Sequence, residues 1–168
     1  MTKRTKIIGI DPGTRVTGYG IIECERMEFT VVDYGCIRPP ANAPLSQRYL
    51  IIYNCLCELL DKHQPDSASV ESQFMRHNFQ SAMKLGMARG MVILASTQRN
   101  IPIFEYTPSK AKLAVVGNGK ASKQQVQSMI QKLLLLSKIP EPEDAADALA
   151  LAICHAQNGQ RIEQLQTL

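Results

Sequence analysis

The sequence predicts an α/β domain built around one mixed five-stranded sheet, and three features carry that prediction. Short β-branched runs ended by turn residues crowd the first 40 positions, helical periodicity dominates the second half, and two further short strands alternate with long helical segments. Helical crossovers between strands imply that the later strands run parallel to the first, whereas the hairpin spacing of the opening three implies an antiparallel meander.

Each element can be justified in turn. IIGID (7–11) is a strand stopped by Pro12-Gly13, and GYGIIEC (18–24) and FTVVDYGCI (29–37) follow it, separated by the polar ERME. From Leu45 to His63 the positions Leu45, Tyr49, Ile52, Leu56, Leu59 and Leu60 share one side of a helix that Pro65 ends. SASVE (67–71) is a brief strand. The segment 78–100 is helical, with Gly86 and Gly90 spaced to permit close packing against a neighbour, and IPIFEYTP (101–108) is the last strand. Helices are then expected over 109–117, over 121–136 through the run LLLL, and over 143–159, punctuated by Gly and Pro. No repeat, linker or low-complexity segment interrupts the chain, so residues 1–168 are expected to form a single domain.

Composition narrows the function. With 168 residues, 45% hydrophobic and 20% charged, the chain is long enough for one good core. No apolar run approaches the roughly 20 residues of a membrane span, and a cytoplasmic protein is expected. The five cysteines are scattered and form no Cys-x-x-Cys pair, which suits buried small hydrophobes better than zinc or redox chemistry. Charge is unevenly spread: from Ser72 to Pro140 ten Lys and Arg face one acid, Glu105, a local net of +9, while the remainder carries −5. That asymmetry suggests a polyanionic partner.

Four carboxylates stand where chemistry is expected. Asp11 closes the first strand and Glu71 the fourth; if those strands are neighbours, both emerge at the same sheet edge, where open α/β sheets place their sites. Asp144 and Asp147 are three apart, on one face of the last helix. Plainer roles exist for each taken singly. Asp11 before Pro-Gly suits a turn, Glu71 suits a surface strand end, and Glu143 and Asp144 suit the positive end of a helix. Asp147, between Ala146 and Ala148 and followed by an apolar face, is the hardest to assign to structure alone. Jointly the four point to a site. Converging carboxylates repel one another and raise their own pKa values unless a cation neutralises them, and oxygen-only donors suit Mg²⁺ or Mn²⁺. Two such ions can activate water and stabilise the leaving oxygen in phosphodiester hydrolysis.

The segments GIDPGTRVTGYGII, VESQFMRHNFQSAMKLGMARG, VVGNGKASKQQVQ and EDAADALALAICH, in this order and spacing from about Ile7 to His155, resemble the RuvC family of Holliday-junction endonucleases. The resemblance implies a ribonuclease-H-like fold and a homodimer that presents two active sites to a four-way DNA junction. It also implies cooperation with a RuvA–RuvB branch-migration complex. Its four acidic metal ligands fall on Asp11, Glu71, Asp144 and Asp147, with two Mg²⁺ per site and Mn²⁺ as a substitute. Phe74 matches an aromatic that stacks on a base at the opened junction, a contact worth roughly 1–3 kcal/mol. Lys112 and Lys123 match positions implicated in DNA contact, and Lys123 in catalysis. The chain departs from the family at its C-terminus, EQLQTL, where Arg161 is the only late basic residue.

Three rivals remain. GIDPGT also opens sugar kinases and actin-like ATPases, but those need a second related domain for which this chain is too short. A non-catalytic junction-binding protein would keep the acids as fold elements, and metal dependence separates it. A related ribonuclease-H-like nuclease would act on other branched or RNA-containing substrates.

Overall fold

The computed structural model describes residues 4–72 and 78–166, with side chains described as far as Gly159. The strands are β1 (Thr5–Asp11), β2 (Thr17–Glu25), β3 (Glu28–Ile37), β4 (Ser67–Glu71) and β5 (Ile103–Tyr106). The helices are α1 (Leu45–His63), α2 (Phe79–Thr97), α3 (Pro108–Val116), α4 (Lys123–Leu133) and α5 (Glu143–Gln166). One sheet holds all five strands in the order β3-β2-β1-β4-β5. As the spacing predicts, β1, β2 and β3 pair antiparallel, and β4 and β5 run parallel to β1.

Strand alternation divides the core between two faces. Ile8, Ile10, Ile21 and Val70 point to one face and pack with Ile52, Leu56 and Leu60 of α1 and Val92 and Ala95 of α2. Ile7 and Ile22 point to the other, beneath Ala111 and Val115 of α3, Val126 and Ile130 of α4, and the run Ala146 to Cys154 of α5. Every residue of α5 from Ala145 to Ala156 is buried except the half-buried Asp147, because this helix lies on the central strands β1 and β2 and is packed by α3 and α4. Among the described residues no helix is long and apolar enough to cross a membrane, and all five cysteines are free thiols.

Two sequence expectations change. The run LLLL does not extend α4 to residue 136: the helix stops at Leu133, Leu135 takes the left-handed conformation at φ 51°, and the Leu136 N–H returns to the Gln131 carbonyl at 2.9 Å. This is a Schellman closure with leucine where glycine is usual. At the other end, α5 continues past Gly159 to Gln166. Among the described residues the pair Gly86 and Gly90 meets no neighbour, since a Cβ at either position would touch nothing within 4 Å.

Candidate active site

Three elements deliver the four acids to one place. Parallel pairing of β1 with β4 runs level from Ile7–Ser67 to Ile10–Val70, so Asp11 and Glu71, one step further on, leave the same sheet edge as strand neighbours. Both belong to the set of strand positions that faces α5, shared with Ile7 and Gly9 on β1. The Glu71 end is tied to its other neighbour by the Ser72 N–H, which donates to the Tyr106 carbonyl at 2.8 Å. After Asp11 the chain turns tightly: the Thr17 hydroxyl donates to the Gly13 carbonyl at 2.8 Å and accepts from the Gly13 N–H at 3.3 Å.

The helix reaches this edge because the strands beneath it lack side chains. Gly9 pairs with Gly20, and Asp11 with Gly18, across β1 and β2. A Cβ on Gly9 would collide with the Ala148 carbonyl, one on Gly18 with the Asp144 carbonyl, and one on Gly20 would stand 2.6 Å from the Leu149 side chain. This glycine stripe seats α5 directly on the sheet and brings its first turns, with Asp144 and Asp147, over Asp11.

Electrostatics register the convergence. Burial pushes the Asp11 carboxyl up to about 8, assisted by the charges of Glu71, Asp147 and Asp144 and opposed by Lys123. The Asp147 carboxyl is raised too, first by burial and then, against the pull of Lys123, by Glu71, Asp144 and Glu143. Each of the four acids therefore acts on at least one other in a partly desolvated setting, and the repulsion is only partly offset by one lysine and the α5 N-terminus. Among the described residues no three His, Cys, Asp or Glu side chains close into a ready-made cage. An oxygen-only donor set whose members repel one another fits a hard divalent cation.

Lys123 sits at the first position of α4, behind a capping box formed by Ser122 and Gln125. Its Nζ lies 2.8 Å from Glu143 Oε2, and the charges of Asp147 and Asp144 also act on it. The structure thus brings Lys123 to the acids. Lys112, half-buried on α3, is not among the charges that shift Asp11 or Asp147, and Phe74 lies outside the described residues. Two residues at the site were not singled out from sequence as functional: Glu143, which holds Lys123, and Arg38 at the end of β3, which shares a cavity wall with Glu143. The Gly-x-Gly alternation on β2 was the available signal for the helix seat.

Known proteins bear on this arrangement. Residues 7–155 match the model of the family described as crossover junction endodeoxyribonuclease RuvC. The chain belongs to this family. A relative from Protochlamydia amoebophila is 60% identical over 157 residues, covering 94% of each chain, and one from Dehalococcoides mccartyi is 49% identical over 150 residues, covering 89% of this chain and 90% of the other. Both carry the same description. Among solved structures, T. thermophilus RuvC in complex with Holliday junction substrate superposes with a TM-score of 0.88 at 30% identity, covering 94% of this chain and 96% of that one. The ribonuclease-H-like architecture expected from sequence is therefore the observed one.

Proposed function

We propose that the chain, acting as one nuclease domain over residues 1–168, is a metal-dependent endonuclease that resolves four-way DNA junctions by symmetric phosphodiester hydrolysis. The observation that carries this reading is the convergence of Asp11, Glu71, Asp144 and Asp147 at one sheet edge, with the Asp11 carboxyl pushed up to about 8 by burial and by the charges of the other three. In this assignment the four acids hold two Mg²⁺, for which Mn²⁺ substitutes. Bound there, the ions would supply an activated water and charge stabilisation for the leaving oxygen, giving 5′-phosphate and 3′-hydroxyl ends.

The chain's own residues do the rest. Glu71 and Asp11, fixed on paired strands, and Asp144 and Asp147, fixed on a buried helix, need little reorganisation to act together. Lys123 stands at the mouth, where a cation would meet the phosphate. Of the ten basic residues between Ser72 and Pro140, Arg89 is paired with Glu105 and Arg99 with Asp61. Lys84, Lys110, Lys120, Lys132 and Lys138 are exposed; with Lys112 they are the groups assigned to the DNA backbone. Phe74 is assigned to stacking on an unpaired base.

Two cuts on one junction require two sites, and a homodimer supplies them. What supports the dimer is α2: Phe79, Met83 and Met87 are 79%, 52% and 50% exposed and recur at helical spacing, with Leu94 continuing the apolar stripe. Gly86 and Gly90 along the same helix leave room for a second backbone. Cooperation with a RuvA–RuvB branch-migration complex and action in the cytoplasm belong to the same reading.

The test is cleavage of a labelled synthetic four-way junction beside a linear duplex, with Mg²⁺, with EDTA, and with Asp11→Asn or Asp147→Asn protein. Paired, symmetric, Mg²⁺-dependent nicks in the junction alone, lost on either substitution while binding survives, are expected. Binding without cutting under any metal would leave a junction-recognition protein, and equal cutting of linear duplex would remove the junction selectivity.

A further inference from the structure

Arg38 follows directly on β3, and its place in the sheet puts it at the active edge. Ile37 pairs with Thr17 and Cys36 with Gly18, and Gly18 is in turn the cross-strand partner of Asp11. Burial and the charge of Asp144 push the Cys36 thiol up, while Arg38 and the Ala145 backbone beside it act in the opposite direction. The arginine is thus linked through one side chain to the first turn of α5.

Beside it an open cavity of about 550 Å³ is lined by Arg38, Gln127, Glu141, Pro142 and Glu143. Two glutamates share that wall with one cation, yet among the described residues Arg38 makes no ion pair; Glu143 pairs with Lys123 instead. Gln127 is likewise engaged, its amide donating to the Pro140 carbonyl at 3.2 Å. The guanidinium is exposed. A planar donor fork with no carboxylate partner, at the rim of a cavity adjoining a phosphodiester site, is a ready receptor for a phosphate.

We propose that Arg38 binds a DNA backbone phosphate flanking the scissile one, so that the strand is held from the α4 side by Lys123 and from the β3 side by Arg38. The inference rests on the junction-endonuclease reading. It adds a contact outside the basic segment from Ser72 to Pro140, on the half of the chain whose net charge is negative.

The test is junction affinity over a salt series, with Ca²⁺ in place of Mg²⁺, for wild type, Arg38→Gln and Arg38→Lys, and Lys62→Gln at the far end of α1 as control. Each phosphate contact contributes about 0.9 to the slope of log affinity against log salt, so Arg38→Gln is expected to flatten the slope by about 0.9 per protomer and weaken binding about eightfold per protomer near 0.1 M salt. Arg38→Lys should restore the slope, since it keeps the charge, while recovering only part of the affinity. In Mg²⁺, KM should rise in Arg38→Gln with kcat little changed. A wild-type slope for Arg38→Gln, a slope change matched by Lys62→Gln, or a loss confined to kcat would each overturn the assignment. Wild-type junction cleavage in the same series tests the underlying reading separately, because it does not depend on Arg38.

Discussion

Replacing Asp11 by Asn should abolish cutting and, without metal, stabilise the protein. Burial and three like-charged neighbours hold the Asp11 carboxyl near 8, against 3.8 for the free group. The folded state then binds more protons than the unfolded state between those two values, so stability falls as pH rises through that window and the full penalty is present above about pH 8. At about 1.36 kcal/mol per unit, the ceiling is roughly 4 kcal/mol at pH 7 and between 5 and 6 kcal/mol above pH 8. Water around a partly exposed carboxylate reduces that ceiling, and a gain of about 2 kcal/mol for Asp11→Asn at pH 7 is the expected order. For a chain of this size that corresponds to roughly 4–8 °C in melting temperature. The assay is thermal or urea unfolding in EDTA at pH 5, 7 and 9 for both proteins, repeated with Mg²⁺. The stability gap should widen from pH 5 to pH 9 in EDTA and narrow with Mg²⁺, which stabilises only the protein that binds it. An Asn variant less stable than wild type at pH 9 in EDTA, or a gap independent of pH, would refute the argument that unrelieved repulsion marks this site.

Further predictions follow from the same geometry. Gly9→Ala should lift α5 from the sheet, costing about 1–3 kcal/mol or more by overpacking and reducing cleavage; unfolding midpoints and junction cleavage measured together check it. Leu135→Gly should stabilise by about 1 kcal/mol, because it relieves a leucine held in the left-handed region without touching the site. Its cleavage rate should match wild type. Met87→Glu on α2 should halve the sedimenting mass and leave each protomer folded; an unchanged dimer would move the interface elsewhere. Burial holds the His155 imidazole down at about 4, with the Tyr106 hydroxyl 2.8 Å from its Nδ1 and Phe104 stacked on it. Its folded value lies below its unfolded one, so wild type should lose stability as pH falls from 6.5 to 4, and a His155→Phe variant should lack that component in acid unfolding.

Much of the site was legible because its acids sit at positions that sequence periodicity can identify. Asp11 and Glu71 end β-branched runs bounded by turn signals, and a three-residue interval puts Asp144 and Asp147 on one helix face. The bounds of α1 and β4 were legible for the same reason: Pro65 and a sharp apolar periodicity mark them. Propensity misread α4, where four consecutive leucines suggest a continuing helix. The termination depends on a backbone closure from Leu136 to Gln131 around a left-handed Leu135, and that conformation has no signature in a leucine. Arg38 was invisible because its significance is topological: residue 38 comes to share a cavity wall with residues 141–143 only after β3 pairs with β2 and α5 settles on the glycine stripe. Gly86 and Gly90 have the spacing of packing residues, yet among the described residues nothing packs against them.

The position of α5 joins the stability of the fold to its chemistry. The same helix buries Ala145, Ala146 and residues 148–156 and presents the half-buried Asp144 and Asp147 in its first turns, so the core fixes the orientation of half the acidic set. Hydrophobic burial along α5 offsets the cost of crowding carboxylates at its N-terminus, which the helix dipole alone, worth about 1 kcal/mol, could not do. It follows that substitutions beneath α5 should reduce activity and stability together, whereas neutralising the acids should reduce activity and raise metal-free stability. A cavity made by Leu149→Ala and the neutral Asp147→Asn should therefore shift the melting temperature in EDTA in opposite directions while both slow junction cleavage. Shifts of the same sign would mean that the acids are held by local contacts and not by the seat of the helix.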